Sequence, residues 1–346
     1  MVPEPAEQSL ALVLPDPAEV RRVIEKIGAP KYRARQVLCW IYSRRAQGFE
    51  EMTDLPADLR KALAERISVQ PLKIIKMQTS QIDDTTKFLF ELLDGNRIES
   101  VFLRDGRRKT ACISTQVGCP LACQFCATGK GGFVRDLSPA EIVHQVLAME
   151  RARERVTSIV FMGMGEALLN TDAVIGAIEI LTSKDGLGIS SKRITVSTSG
   201  VIPGIKRLAE SPVKVNLAWS LNSPFNGERS KLMPVNKRYP IEPVMQALKD
   251  YAAVSGREVS VEYVVLEGVN MSRDHAEALA EIAKEIGAKV NLISYNQIED
   301  ERFATPPPED VVRFRHHVKS AGVFVTIRFR RGRDIAAACG QLRARD

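Results

Sequence analysis

Four of the six cysteines in this 346-residue chain fall between Cys112 and Cys126. Three of them, Cys119, Cys123 and Cys126, are spaced C-x3-C-x2-C, so one short loop can turn three sulfurs toward a common centre. A structural zinc site closes with four protein ligands, usually as two CxxC pairs, and the sequence has no second CxxC. A four-iron cluster normally takes four cysteines. Three thiolates on such a cluster leave one iron open to bind a substrate or cofactor. The ordinary alternative is three buried or zinc-binding cysteines.

Phe125 stands directly before the last of these cysteines. The wider segments are CISTQVGCPLACQFCATGKGGF and, near the C-terminus, DIAAACGQL. On these residues the chain resembles the radical S-adenosylmethionine (SAM) superfamily and, within it, the RlmN/Cfr methyltransferases, which methylate an adenine carbon in RNA. The resemblance runs from about Ala29 to Leu342. It implies a [4Fe-4S] cluster on Cys119, Cys123 and Cys126, an open iron that chelates SAM, and one-electron cleavage of SAM to a 5′-deoxyadenosyl radical. It implies SAM contacts from Gly165 and Glu166 in FMGMGEALLN, Ser197 in STSG, Ser220, Leu221 and Asn222 in SLN, and Asn296 in SYN. Each alone would read as ordinary strand-end turn polarity. Glu99, by its offset before the cysteine loop, takes the family's role of proton acceptor; read by itself it is an exposed strand carboxylate.

Cys112 and Cys339 lie outside the cluster motif. Most free cysteines are small buried hydrophobes. A sharper reading follows from the chemistry of adenine. Its carbons 2 and 8 are electrophilic and unsuited to direct methyl transfer from a sulfonium. A thiol can first take the methyl, a radical can activate it, and a second thiol can help release the product. That scheme needs two reactive cysteines besides three cluster ligands, and the sequence supplies both. By resemblance Cys339 is the methylated one and Cys112 completes the pair, a disulfide-capable couple.

Around these residues the pattern is α/β. Candidate strands at Thr110–Gln116, Ser158–Met162, Arg193–Ser197, Lys214–Ser220, Val259–Val265, Lys289–Ile293 and Val323–Arg328 alternate with helices beginning near Ser138, Thr171, Ile202, Ile241, Ser272 and Glu309. Such repetition argues for a parallel sheet with helices outside it. Several strands read as continuous apolar runs, as expected where both faces are buried. An open and a closed barrel both fit; the resemblance implies an incomplete (β/α)6 radical SAM barrel with a small N-terminal helical accessory domain. Ligands are then expected at the C-terminal ends of the strands. Between Val69 and Phe102, Asp94-Gly95-Asn96 separates two alternating runs, which reads as a hairpin. The expected organisation is a helical RNA-binding unit over 1–68, a β-hairpin linker region over 69–108, and barrel plus catalytic tail over 109–346.

Residues 1 to about 17 are Pro-rich and read as mobile. A helix is expected over Pro17–Lys26. Then Tyr32, Val37, Trp40 and Ile41 form an apolar stripe, with Lys31, Arg33, Arg35, Arg44 and Arg45 opposite it. A third helix spans Pro56–Arg66. Those cations are a solvated face or a grip on phosphates. Cys39 sits in the apolar stripe as a structural thiol. The run Leu10–Leu14 is too short for a signal peptide and lacks a basic flank, and no stretch approaches membrane-span length, so a cytoplasmic protein is expected. Net charge is +7, which permits a polyanionic partner. Arg328, Arg330, Arg331 and Arg333 add a basic run beside Cys339.

Other motifs are weaker. Gly163-x-Gly165 lacks the third glycine of a dinucleotide fingerprint, and Gly131 stands where a P-loop needs Ser or Thr. His144, His275, His316 and His317 show no ligand spacing. Ala167 and Asn222 replace the Pro and His usual in RlmN-type sequences and lean toward Cfr, whereas the cysteine loop and DIAAACGQL lean toward RlmN. The expected function is methylation of carbon 2 of an adenosine in large-subunit (23S) ribosomal RNA, with transfer RNA as a second candidate, by a monomer fed by an electron-donor protein. The alternatives are carbon 8, or a non-catalytic RNA-binding protein stabilised by zinc or a cluster.

Overall fold

The computed structural model describes residues 16–70, 72–298, 302–328 and 331–344. The run Leu10–Leu14 and Arg330 lie outside them. Twelve strands are described: β1 (Leu72–Thr79), β2 (Thr86–Leu92), β3 (Arg97–Asp105), β4 (Arg108–Cys112), β5 (Gln116–Gly118), β6 (Phe133–Asp136), β7 (Ser158–Phe161), β8 (Ile194–Thr198), β9 (Asn216–Ser220), β10 (Val259–Val265), β11 (Lys289–Ser294) and β12 (Val325–Arg328). The helices are α1 (Pro17–Lys26), α2 (Tyr32–Leu38), α3 (Ala57–Ala64), α4 (Ala127–Lys130), α5 (Pro139–Ala152), α6 (Thr171–Thr182), α7 (Ile202–Glu210), α8 (Asn226–Leu232), α9 (Ile241–Ser255), α10 (Arg273–Glu285) and α11 (Pro308–Ser320). No helix among the described residues is long and apolar enough to cross a membrane.

Strands β4, β7, β8, β9, β10, β11 and β12 are parallel and lie side by side in chain order. A singly wound order of this kind curls the sheet into a barrel, because each right-handed crossover adds its strand to the same edge. β1 and β12 are the two edges and do not pair, so the barrel is incomplete, as expected. β1, β2 and β3 extend it antiparallel beyond β4. The expected hairpin at Asp94–Asn96 is present, with Gly95 at φ +80°. A third antiparallel strand, β1, joins it; weak burial along most of its length leaves little alternation in the sequence to mark it.

The expected Thr110–Gln116 strand splits. β4 stops at Cys112, and β5 leaves the barrel to pair with β6 beside the cysteine loop. Arg135 of β6 fixes that hairpin, forking onto Glu141 at 3.0 and 2.8 Å and reaching Asp94 at 2.6 Å. Glu141 also completes a capping box with Ser138 at the start of α5.

Helix α1 starts where Asp16 accepts the amides of Ala18 and Glu19 at 2.8 and 3.0 Å, with proline first in the helix. Val37 and Ile41 are fully buried. Tyr32 is 59% exposed, and Trp40 is only partly covered. Arg33 lies over the Tyr32 ring and Arg44 over the Trp40 ring. The apolar stripe expected there is therefore narrower than its residue types suggest. Several cations of this unit already have partners. Arg45 pairs with Glu150 at 2.8 Å, Arg35 with Asp185 at 3.0 Å, and Lys31 with Glu25 at 3.5 Å. His144 is buried edge-on against Tyr42, its Nε2 without a hydrogen-bond partner among the described residues, and His275 bonds Glu228 at 2.8 Å.

The C-terminal tail crosses the gap between β12 and the antiparallel strands. Arg331 pairs with Asp105 at 3.0 Å, and the Gly332 amide donates to Asp83 at 2.9 Å. The Gln81 amide donates to Asp334 at 3.0 Å. Further along, Thr128 donates to the Leu342 carbonyl at 2.6 Å, and the Arg343 amide donates to Glu99 at 2.7 Å. The tail thus serves as a side wall of the barrel.

Candidate active site

At the C-terminal ends of the parallel strands lies a cavity of about 160 Å³. Cys119, Cys123 and Cys126 line it together with Gly165 and Glu166. Among the described residues no three His, Cys, Asp or Glu side chains surround a single ion position. A four-iron cluster asks for something different. Each thiolate binds its own corner iron, so the sulfurs must face one chamber without meeting at a point. The three thiols fit that demand. Burial pushes the Cys119 thiol up to about 12 and that of Cys123 well above its usual range, so taking up a metal must release their protons.

Gly165 has φ +100°, and a Cβ there would meet the Gln116 side chain at 2.6 Å. Only glycine lets this turn lie so close to the start of β5. Glu166 then bridges two strand ends. Its carboxylate accepts the Leu168 amide at 3.1 Å and the Ser199 amide at 2.8 Å. Ser197, Ser220, Asn222 and Asn296 also face the cavity. Leu221 does not; its side chain is fully buried in the apolar core. Asn222 sits at φ +59°, a region that asparagine tolerates well. Its side chain is largely engaged: it accepts the Val264 amide at 2.8 Å and donates to the Met233 sulfur at 3.2 Å. At this position the residue joins the ends of β9 and β10.

A second, larger cavity of about 610 Å³ fills the barrel interior toward the N-terminal strand ends. Cys112 is buried and lines only this one. Its thiol is pushed up, first by burial and next by nearby Cys339. Cys339 is exposed, and it lines both cavities. Glu99 lines neither cavity. Its carboxylate is held by Lys87 at 3.0 Å and by the Arg343 amide at 2.7 Å.

Two residues that the sequence reading passed over support this architecture. Arg229 is fully buried on α8. Its guanidinium donates to the carbonyls of Leu221, Ser199 and Ser220 at 3.0, 2.7 and 3.2 Å, and to Asn236 at 2.6 Å. Glu262 of β10 accepts Asn291 at 2.8 Å, Ser260 at 3.1 Å and Arg328 at 3.1 Å through one oxygen. Neither carries a motif. Arg229 looks like one more charge in the polar helix NGERSKL, and Glu262 like an exposed strand residue.

Residues 113–296 match the family model described as Radical SAM superfamily. Residues 12–69 match the one described as Ribosomal RNA large subunit methyltransferase N-terminal domain. A crystal structure of a radical SAM methyltransferase from Sphaerobacter thermophilus superposes with a TM-score of 0.92 at 42% identity, covering 97% of this chain and 100% of that one. A probable dual-specificity RNA methyltransferase RlmN from Thermotoga sp. (strain RQ2) is 45% identical over 321 residues, 92% of this chain and 93% of the relative. One of the same description from Geobacillus thermodenitrificans is 43% identical over an alignment of 350 residues, 100% of this chain and 94% of the relative. The chain belongs to the RlmN family of radical SAM RNA methyltransferases.

As a radical SAM enzyme of the RlmN family, it uses a [4Fe-4S] cluster and SAM. The smaller cavity is the place in this fold where three thiols and a glycine-lined approach coincide. The Cfr-like features at Ala167 and Asn222 do not move the chain out of the RlmN family, because identity to RlmN relatives extends over nearly its whole length.

Proposed function

We propose that this enzyme methylates carbon 2 of an adenosine in large-subunit ribosomal RNA, and in transfer RNA, through a methyl group carried on Cys339. The observation that carries the reading is that Cys339, alone among the described cysteines, lines both cavities. When bound, the cluster and SAM supply the methyl group and the one-electron chemistry. Cys119, Cys123 and Cys126 hold the cluster, and Gly165, Glu166, Ser197, Ser220, Asn222 and Asn296 hold SAM, with Leu221 contributing backbone only. Cys339 takes the methyl on the side of the cluster and presents it to the barrel interior. Cys112, facing it there, is the second thiol that frees the product. Glu99 is the proton acceptor, and the Arg343 amide must release its carboxylate for that role. Residues 1–68 act as the RNA-gripping unit, 69–108 link it, and 109–346 form barrel and catalytic tail. The enzyme works as a cytoplasmic monomer with a separate electron-donor protein.

Two measurements test this. Peptide mass spectrometry of protein incubated with SAM and a reductant is expected to find one added methyl on Cys339; an unmodified Cys339 refutes the carrier role. Chromatography of RNA digested after turnover is expected to show 2-methyladenosine, and a predominance of 8-methyladenosine overturns the choice of carbon. RNA affinity is expected to fall steeply with salt. Reversing the charge of Arg33 and Arg44, which hold no buried acid, is expected to reduce the slope of log affinity against log salt by about 2. An unchanged slope would remove the helical unit from the RNA contact.

A further inference from the structure

The barrel interior is unusual in what lines it. In a closed (β/α) barrel, the inward positions are packed with branched apolar side chains. Here the inward positions of β4, β10, β11 and β12 include Thr110, Ser260, Asn291 and Thr326. They enclose about 610 Å³, within the range of a ligand site. The larger cavity ends inward at Cys112 and Cys339. Its other end lies at the first residues of the parallel strands, where Arg108 opens β4, Asn216 opens β9 and Lys289 opens β11. Arg108 and Cys112 are four residues apart on β4, about 13 Å along a strand.

The charge at that end is uneven. Lys289 is paired with Glu258 at 2.5 Å, and Arg331 with Asp105 at 3.0 Å. Arg108 and Lys192 are exposed on the same rim and have no ion pair among the described residues. The N-terminal helical unit is attached at this end as well. Arg45 reaches Glu150 in the last turn of α5, and Ser43 donates to the carbonyls of Asp185 and Gly186 between α6 and β8. Both places lead directly into the N-terminal ends of strands.

We propose that the RNA approaches the barrel from the N-terminal ends of the strands, opposite the cluster, and inserts a single flipped-out nucleotide into the interior. This rests on the RNA-methylating function proposed above. Arg108 and Lys192 hold the phosphates flanking the flipped nucleotide, where cationic side chains fix register without reading sequence. The base lies deeper, against the Ser260, Asn291 and Thr326 stripe, with its edge toward Cys339. The methyl carrier is therefore loaded from one end of the barrel and unloaded toward the other, and SAM and RNA never share an entrance.

The test uses full-length protein with reconstituted cluster and deproteinised large-subunit ribosomal RNA as the probe. Arg108→Glu/Lys192→Glu is expected to lower the salt slope of RNA binding by about 2 and RNA methylation about 100-fold. Asn216→Trp, which plugs the mouth of the interior, is expected to cut RNA methylation about 100-fold. Both are expected to keep methyl uptake by Cys339 in the absence of RNA within about twofold of wild type. Thr195→Trp supplies the same plug from β8 if Asn216→Trp does not fold by circular dichroism. Lys231→Glu/Lys237→Glu, on exposed positions at the cluster end, is the counterpart, expected to bind and methylate RNA like wild type. Normal RNA methylation by a folded plugged variant overturns the route, as does loss confined to the Lys231/Lys237 variant. Loss of Cys339 methyl uptake in the plugged variants also overturns it, because the two ends would then not be separate. A wild-type enzyme that methylates no RNA adenosine sinks the proposed function itself, a result distinct from these.

Discussion

Cys339→Ala is expected to lower RNA methylation by more than about 1,000-fold, because the thiol proposed to accept and carry the methyl is gone and no other group replaces it. Iron and sulfide content are expected to match wild type, since Cys119, Cys123 and Cys126 line their cavity from a different loop. SAM binding is likewise expected to persist. Cys112→Ala is expected to fail differently. With the carrier intact but the second thiol missing, the protein should accumulate as a covalent adduct with RNA, visible as a shifted band that ribonuclease collapses. Clean turnover by Cys112→Ala would refute its role in release, and methylation by Cys339→Ala at even a tenth of the wild-type rate would refute the carrier.

Arg229→Leu is expected to destabilise the fold by several kcal/mol, about 1–3 kcal/mol for each buried acceptor left without a donor. The guanidinium holds three carbonyls and Asn236, with its charge stacked over Trp219 at 5.5 Å. Leucine would take the donor from all four acceptors, of which the Leu221 carbonyl and Asn236 Oδ1 are buried. Burial lowers the Arg229 pKa to about 10, so it remains charged at neutral pH and its loss is felt there in full. Arg229→Lys is expected to recover only part of the stability, since a point ammonium cannot span the same fork of acceptors. Because those acceptors are the ends of β8 and β9, SAM affinity should fall along with stability. Chemical denaturation and SAM titration of the two variants check this; a Leu variant as stable as wild type would mean the network carries no net energy.

The strand and helix starts were legible because βα repetition leaves a strong local signature. Ser138, Pro17 and Asp16 carry capping chemistry that any reader of the sequence can see. That Cys119, Cys123 and Cys126 meet at one cavity was legible for the same reason, since they are close in the chain. What lay hidden was the barrel interior. Val259–Val265 reads as an apolar run, yet Ser260 and Glu262 point inward while Val259, Val261 and Tyr263 pack against helices. Two polar residues at every second position are a faint signal beside five apolar neighbours. Arg229 was hidden because burial of a charge depends on partners from three separate segments. Glu99 shows the opposite limit: the role proposed for it rests on likeness to the family, whereas its hold on Arg343 comes only from the fold.

The tail wall has a consequence for how the molecule assembles. The contacts that pin it join residues 253 positions apart at Gln81 and Asp334, and 244 apart at Glu99 and Arg343. The parallel strands, in contrast, each pair with the next in the chain, a topology of short closures that forms early. Chain ends that close over such long separations do so last, and they reopen first under mild destabilisation. The segment bearing Cys339 is thus a late-fitting hatch on an otherwise finished barrel. A nascent chain would hold Cys119, Cys123 and Cys126 before it gains Cys339, and hydrogen exchange should find the amides of 331–343 opening well ahead of those in β7, β8 and β9.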